Sequence, residues 1–175
     1  SSMSQAKGPR ANSSCRPSAT FSGDVAEGQA TGYTPLAFGN LPTERGTTMP
    51  VRTATATWEG PLQTGTGTAT AGSGAFSVRF SVGTRFGEEP GTNPEELIGA
   101  AYAGCYSMAL AAILGRAGYT PERISTTARV RIQQVEGGFA IDRIELETEG
   151  KVPGIDEAKF QEFAEQAKRG CPVGK

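Results

Sequence analysis

An α+β domain built on antiparallel sheet is the fold class this sequence predicts, and three observations carry it. Alternating segments fall into two blocks, a long uncharged helix separates the blocks, and a shorter amphipathic helix follows the second. In the first block VRTATATWEG (51–60), GTGTATAG (65–72) and AFSVRFSV (75–82) alternate Thr, Val and Ala with other residues. They read as a three-strand meander that turns at Gly60-Pro61 and at Gly72-Ser73-Gly74. Asn93 as N-cap, Pro94 at the first helical position and Glu96 at the third then start a helix. It should run to about Gly115.

Residues 97–114 of that helix carry no charge, which touches the lower length limit of about 18 residues for a membrane span. Gly99, Gly104 and the many alanines make it only weakly apolar, and it is the one such segment. A buried core helix is the better reading, with no membrane. After Gly118 and Pro121, ISTTARVRIQQV (124–135) and FAIDRIELETEG (139–150) form a hairpin across Glu136-Gly137-Gly138. The second helix covers roughly Asp156 to Arg169. Phe160, Phe163, Ala164 and Ala167 make its apolar stripe, Lys168 and Arg169 suit its negative end, and Gly170 stops it.

Residues 1–48 are rich in Gly, Ser, Pro, Thr and Ala and short of large apolar side chains, so they read as a tail or a leader appended for expression. Tyr33, Leu36, Phe38 and Leu41 are the residues there with the means to dock. The domain proper, 49–175, should begin at Met49. No apolar run of signal-peptide type is visible, and a cytoplasmic location is expected.

The 17 basic and 18 acidic residues give a net charge of −1, which excludes the clustered basic excess that nucleic-acid binding needs. The chain has no histidine. That removes Ser-His-Asp and Cys-His catalysis and any His-containing zinc site, and two separated thiols without CxxC spacing supply no metal ligand set and call for no cofactor. Three cysteines remain. Cys15 lies in the leader. Cys105 sits mid-helix on the face of Leu97, Ala101, Met108 and Ala112, where an unaided thiol would be an inert small hydrophobe. Cys171 follows a helix C-terminus whose partial negative charge opposes a thiolate; it suits a resolving thiol better than a primary nucleophile.

The run GTNPEELIGAAYAGCYSMAL, with TRF before it and GCPV downstream, resembles the osmotically inducible protein C (OsmC) branch of the OsmC and organic hydroperoxide resistance family. The similarity reaches from about Trp58 to Val173. It implies an OsmC-like fold, with antiparallel sheets around a long central buried helix in an intertwined homodimer. It also implies a thiol-dependent peroxidase that reduces organic hydroperoxides and, less efficiently, hydrogen peroxide. By matching motifs, Cys105 would be the peroxidatic cysteine, Cys171 the resolving one, Arg85 the activating guanidinium and Glu95 its partner. An external dithiol, in related proteins a lipoyl group on another protein, would reset the pair. The family usually continues past GCPV into a final strand, whereas this sequence stops at Lys175.

Glu95 and Cys105 are ten residues apart, about 15 Å along a continuous helix, too far for one guanidinium to bridge. Either a second chain completes the site or the helix is interrupted. Gly99, Ala100, Ala103 and Gly104 offer a small-residue surface on which two copies of the helix could cross. Arg79 and Arg52 compete with Arg85. Phe86, Ile98, Tyr102 and Met108 are candidate walls for an apolar substrate group, although plain core is the better reading of Ile98 and Met108. The rival from another class is a non-catalytic redox-sensing dimer that uses the same cysteine pair.

Overall fold

The computed structural model describes residues 18–24 and 49–174. Cys15 and the apolar residues Tyr33, Leu36, Phe38 and Leu41 lie outside the described residues. The elements are β1 (Ser18–Asp24), β2 (Ala54–Glu59), β3 (Thr66–Ala71), β4 (Ser77–Phe80), α1 (Val82–Phe86), α2 (Pro94–Arg116), β5 (Arg123–Val135), β6 (Gly138–Lys151) and α3 (Glu157–Gly170), closed by a 3₁₀ turn over Pro172–Gly174. Both sheets are antiparallel and three-stranded. One has the order β2-β3-β4, the other β1-β6-β5.

The meander forms in the predicted order. Its tight middle strand is explained at Gly67, where a Cβ would stand 2.2 Å from the Phe80 ring; only glycine lets Phe80 lie across β3. Trp58 leans on the same ring at 5.9 Å. Beyond this small cluster the meander is thinly packed among the described residues, and β2 is exposed along its whole length. The second sheet differs. Tyr106, Leu110 and Leu114 of α2, Leu146 of β6 and Phe160 of α3 are fully or almost fully buried together, and the predicted stripe Phe160, Phe163, Ala164 and Ala167 is the buried face of α3.

Both helices start where their capping residues dictate. Asn93 accepts from the Glu96 amide at 2.9 Å and Asp156 from the Lys159 amide at 2.7 Å. A line of hydroxyls pins α2 to the hairpin. Ser107 donates to Thr126 at 2.8 Å, and Thr148, whose own hydroxyl donates to the Ser125 carbonyl, takes the Thr126 proton at 3.0 Å. Every buried side-chain polar atom among the described residues has a partner.

Several features depart from the expectations or extend them. Strand β1 lies inside the segment read as a leader; its backbone runs antiparallel along β6 from Ser18 opposite Glu149 to Asp24 opposite Arg143, and Ala19 enters the core. Its composition carries too little apolar signal to announce a strand. The helix α1 was not foreseen, being a five-residue turn closed by a capping box between Ser81 and Thr84. The long helix α2 meets the length and hydropathy of a membrane span, but only 39% of that stretch is buried. Within its own chain α2 packs on β5 and α3 and leaves its other side open. Finally, the small-residue surface is split: Gly99 packs on Ala128 and Val130 of β5, while Gly104 faces open space.

Candidate active site

Two polar groupings lie on α2, one near each end of its first three turns. At the N-terminal one, α1 carries Arg85 to the first turn of α2, where Nη2 donates to Glu95 Oε1 at 2.6 Å and Nε donates to both carboxylate oxygens at 3.1 and 3.2 Å. Glu95 is almost fully buried, its side chain 10% exposed, while that of Arg85 is 36% exposed. An enclosed carboxylate with a guanidinium laid along it fixes that guanidinium firmly, and the remaining N–H groups of Arg85 stay available. Asn93 holds the loop in place by donating from Nδ2 to the Thr84 carbonyl at 3.2 Å. Beside the pair, a cavity of about 540 Å³ opens between α2 and β5, reached by Gly99, Ala103, Thr126, Val130 and Ile132.

The competing arginines are elsewhere. Arg79 donates to Thr66 Oγ1 at 3.5 Å, and Arg52 stands exposed ahead of β2. Arg85 is thus the arginine that the fold gives to Glu95.

At the second grouping Cys171 Sγ lies 2.9 Å from Cys105 Sγ and donates to it. Sixty-six residues separate the two in sequence. They meet because α3 packs on α2 and ends at Cys171, whose amide still bonds to the Ala167 carbonyl at 3.0 Å. Both thiols are free, and they differ in exposure: Cys105 is half-buried, Cys171 has none of its surface exposed. Burial first, and then the hydrogen bond it donates to Cys105, push the Cys171 thiol up to about 11. The sequence attributed its reluctance to ionise to the helix end; burial is the larger cause. Tyr102 completes this end. It is buried against the closing 3₁₀ turn, where a Cβ on Gly174 would come within 2.3 Å of its hydroxyl oxygen. Burial, and then the nearby Cys171 and Cys105, raise its hydroxyl above the usual range.

The two groupings do not meet within one chain. Helix α2 is uninterrupted from Pro94 to Arg116, so the ten residues between Glu95 and Cys105 span about 15 Å. Interruption of the helix is excluded. The proposed substrate walls divide in the same way: Phe86 adjoins Arg85, its ring 5.0 Å below the guanidinium carbon, and Tyr102 adjoins the cysteines. Met108 is 74% exposed and Ile98 37%, so neither is core within this chain.

One neighbour of Arg85 escaped the sequence reading. Phe139, at the start of β6, stacks on Phe86 with centroids 5.3 Å apart. Only a large apolar residue directly after a Gly-Gly turn hinted at it.

The family described as OsmC-like protein matches residues 87–175. The chain is 51% identical over 117 residues to the peroxiredoxin OsmC of Escherichia coli (strain K12), covering 66% of this chain and 82% of that protein. It is 37% identical over 83 residues to an organic hydroperoxide resistance protein of Xanthomonas axonopodis pv. citri (strain 306), 47% of this chain and 56% of that one. Among solved structures, an organic hydroperoxide resistance protein of Elizabethkingia anophelis superposes with a TM-score of 0.58 at 26% identity, over 73% of this chain and 87% of the other. The fold and the sequence agree, and this chain belongs to the OsmC-like family.

Proposed function

We propose that this protein is a thiol-dependent peroxidase that reduces organic hydroperoxides, and less efficiently hydrogen peroxide, at two composite sites of a homodimer. The observation that carries the reading is the pair of thiols 2.9 Å apart, one half-buried and one sealed. The relatives named peroxiredoxin and organic hydroperoxide resistance protein support the same chemistry. Because Arg85 and Glu95 hold each other about 15 Å from the Cys105 of their own chain, the guanidinium serves the Cys105 of a second copy. The uncharged, exposed side of α2, with Ala100, Ala101, Gly104 and Met108, supports such a contact.

In the cycle, the Cys105 thiolate attacks the distal oxygen of the hydroperoxide. The O–O bond breaks, sulfur is oxidised to a sulfenic acid, and the leaving alkoxide takes a proton to depart as an alcohol. Arg85 balances the thiolate charge and then the charge on the leaving oxygen. Cys171, a protonated thiol at neutral pH, attacks the Cys105 sulfur; its proton leaves with the hydroxyl as water, and a disulfide forms. An external dithiol, of the class that includes protein-bound lipoyl groups, returns both sulfurs to thiols and becomes a disulfide itself. A cytoplasmic location, with its reducing thiol pool, accompanies this reading.

The test is consumption of cumene hydroperoxide and hydrogen peroxide with excess dithiol by wild type, Cys105→Ser and Cys171→Ser. Many turnovers, faster with the organic substrate and lost by at least about 10³-fold in Cys105→Ser, are expected. A single turnover, with a dithiol that does reduce the oxidised protein, would instead mark a redox sensor.

A further inference from the structure

We infer that Phe139, at the tip of the β5–β6 hairpin, is a positioning residue for Arg85 and acts through Phe86. The inference rests on the reading above in that it takes Arg85 to act on Cys105. Its observations are separate. Arg85 leans on two supports, the Glu95 carboxylate on one side and the Phe86 ring, 5.0 Å from the guanidinium carbon, on the other. The carboxylate is enclosed by the start of α2. The ring is not, for Phe86 is 51% exposed at the end of a five-residue helix with no buried residue, and such a short element cannot hold an aromatic side chain by itself. What it touches is Phe139, ring to ring at 5.3 Å and 36°, a tilted arrangement within the favourable range for aromatic pairs.

The hairpin presents that ring deliberately. Gly137 and Gly138 turn the chain with φ of 90° and 151°, and Phe139 follows opposite Gln134. A bulge begins three residues further on. The register steps from Arg131 opposite Arg143 to Ile132 opposite Ile141, leaving Asp142 as the extra residue, and Arg131 Nε donates to its carboxylate at 3.0 Å. A bulge bends the strand that carries it, and this one is fixed by an ion pair at the base of the tip. Phe139 is 60% exposed, and the ring contact recorded for it is the one with Phe86. Through the stack Arg85, Phe86, Phe139, the hairpin tip limits the swing of the guanidinium.

Carbamidomethylation of Cys105 by iodoacetamide tests this without requiring turnover. Reduced wild type, Phe139→Ala, Phe139→Tyr, Arg85→Lys and the Phe139→Ala/Arg85→Lys double variant are reacted at pH 7, and Cys105 is followed by peptide mass. Phe139→Ala is expected to slow the reaction roughly tenfold, as small displacements of a charged group commonly do. Phe139→Tyr keeps the ring and restores the rate, and Phe139→Ala has no further effect once Arg85→Lys is present. Slowing by Arg85→Lys but not by Phe139→Ala, additive losses, or failure of Phe139→Tyr to rescue would overturn the inference. No slowing by Arg85→Lys would instead remove the role of Arg85 on which both readings stand.

Discussion

The two sheets of this molecule are built alike and finished differently. Sheet β1-β6-β5 has two helices laid against it and a core in which Tyr106, Leu110, Leu114 and Phe160 lose all contact with solvent. Sheet β2-β3-β4 has the same number of strands and leaves every residue of β2 exposed. The chemistry-bearing residues divide along the same line: both sulfurs belong to the closed half, and Arg85 follows the open one. One thiol of the pair is sealed and the other half-buried, while the guanidinium stands at the open edge; under the proposed function a second copy would complete the site.

The sharpest way to break that comparison is complementation. Cys105→Ser and Arg85→Ala, each expected to be slower by about 10² or more, are unfolded together and refolded. If sites are shared between chains, half of the dimers formed are mixed and each has one intact site of two, restoring about a quarter of wild-type activity. If each chain holds its own site, nothing returns. Next in size is the core of the closed half. Phe160→Ala should cost about 3–5 kcal/mol in urea unfolding at any protein concentration. Met108→Glu, on the exposed side of α2, should spare that core and shift sedimentation toward a monomer; if it unfolds the protein, α2 is covered differently from what its surface indicates.

The smallest effect is on pH. The folded state holds the Cys171 proton more tightly than the ordinary thiol value of 9.0, up to about 11. The stability this contributes is fully present below pH 9 and lost as pH rises through 11. It amounts to at most about 2–3 kcal/mol. Wild type should therefore lose unfolding free energy between pH 9 and 11 more steeply than Cys171→Ser, whose hydroxyl does not titrate there. Equal slopes would show Cys171 to be less enclosed than its surroundings indicate.

What the sequence reveals follows how local each signal is. The meander, the capped start of α2 at Asn93, the hairpin and the buried stripe of α3 are written in short periodic patterns, and all appear in the fold. Strand β1 has no such pattern; it exists because the edge of β6 offers unpaired backbone groups along Arg143–Glu149. The site is legible in part. Motif resemblance singles out Arg85, Glu95, Cys105 and Cys171, and the fold brings them together two by two. The arithmetic of helical rise also shows, before any coordinates, that Glu95 and Cys105 are too far apart to share a guanidinium. Illegible were the stack on Phe139, formed by residues 53 apart, and the depth at which Cys171 lies, because both depend on how distant segments meet.

That depth also decides where wear would fall. Of this pair, a dissolved oxidant or alkylating agent finds exposed surface at Cys105 and none at Cys171. Each step up the oxidation ladder beyond sulfenic acid would be taken at Cys105, in a race against a neighbour that needs to travel less than an ångström to close the bond. Of these two thiols, Cys105 would wear first and Cys171 would outlast it.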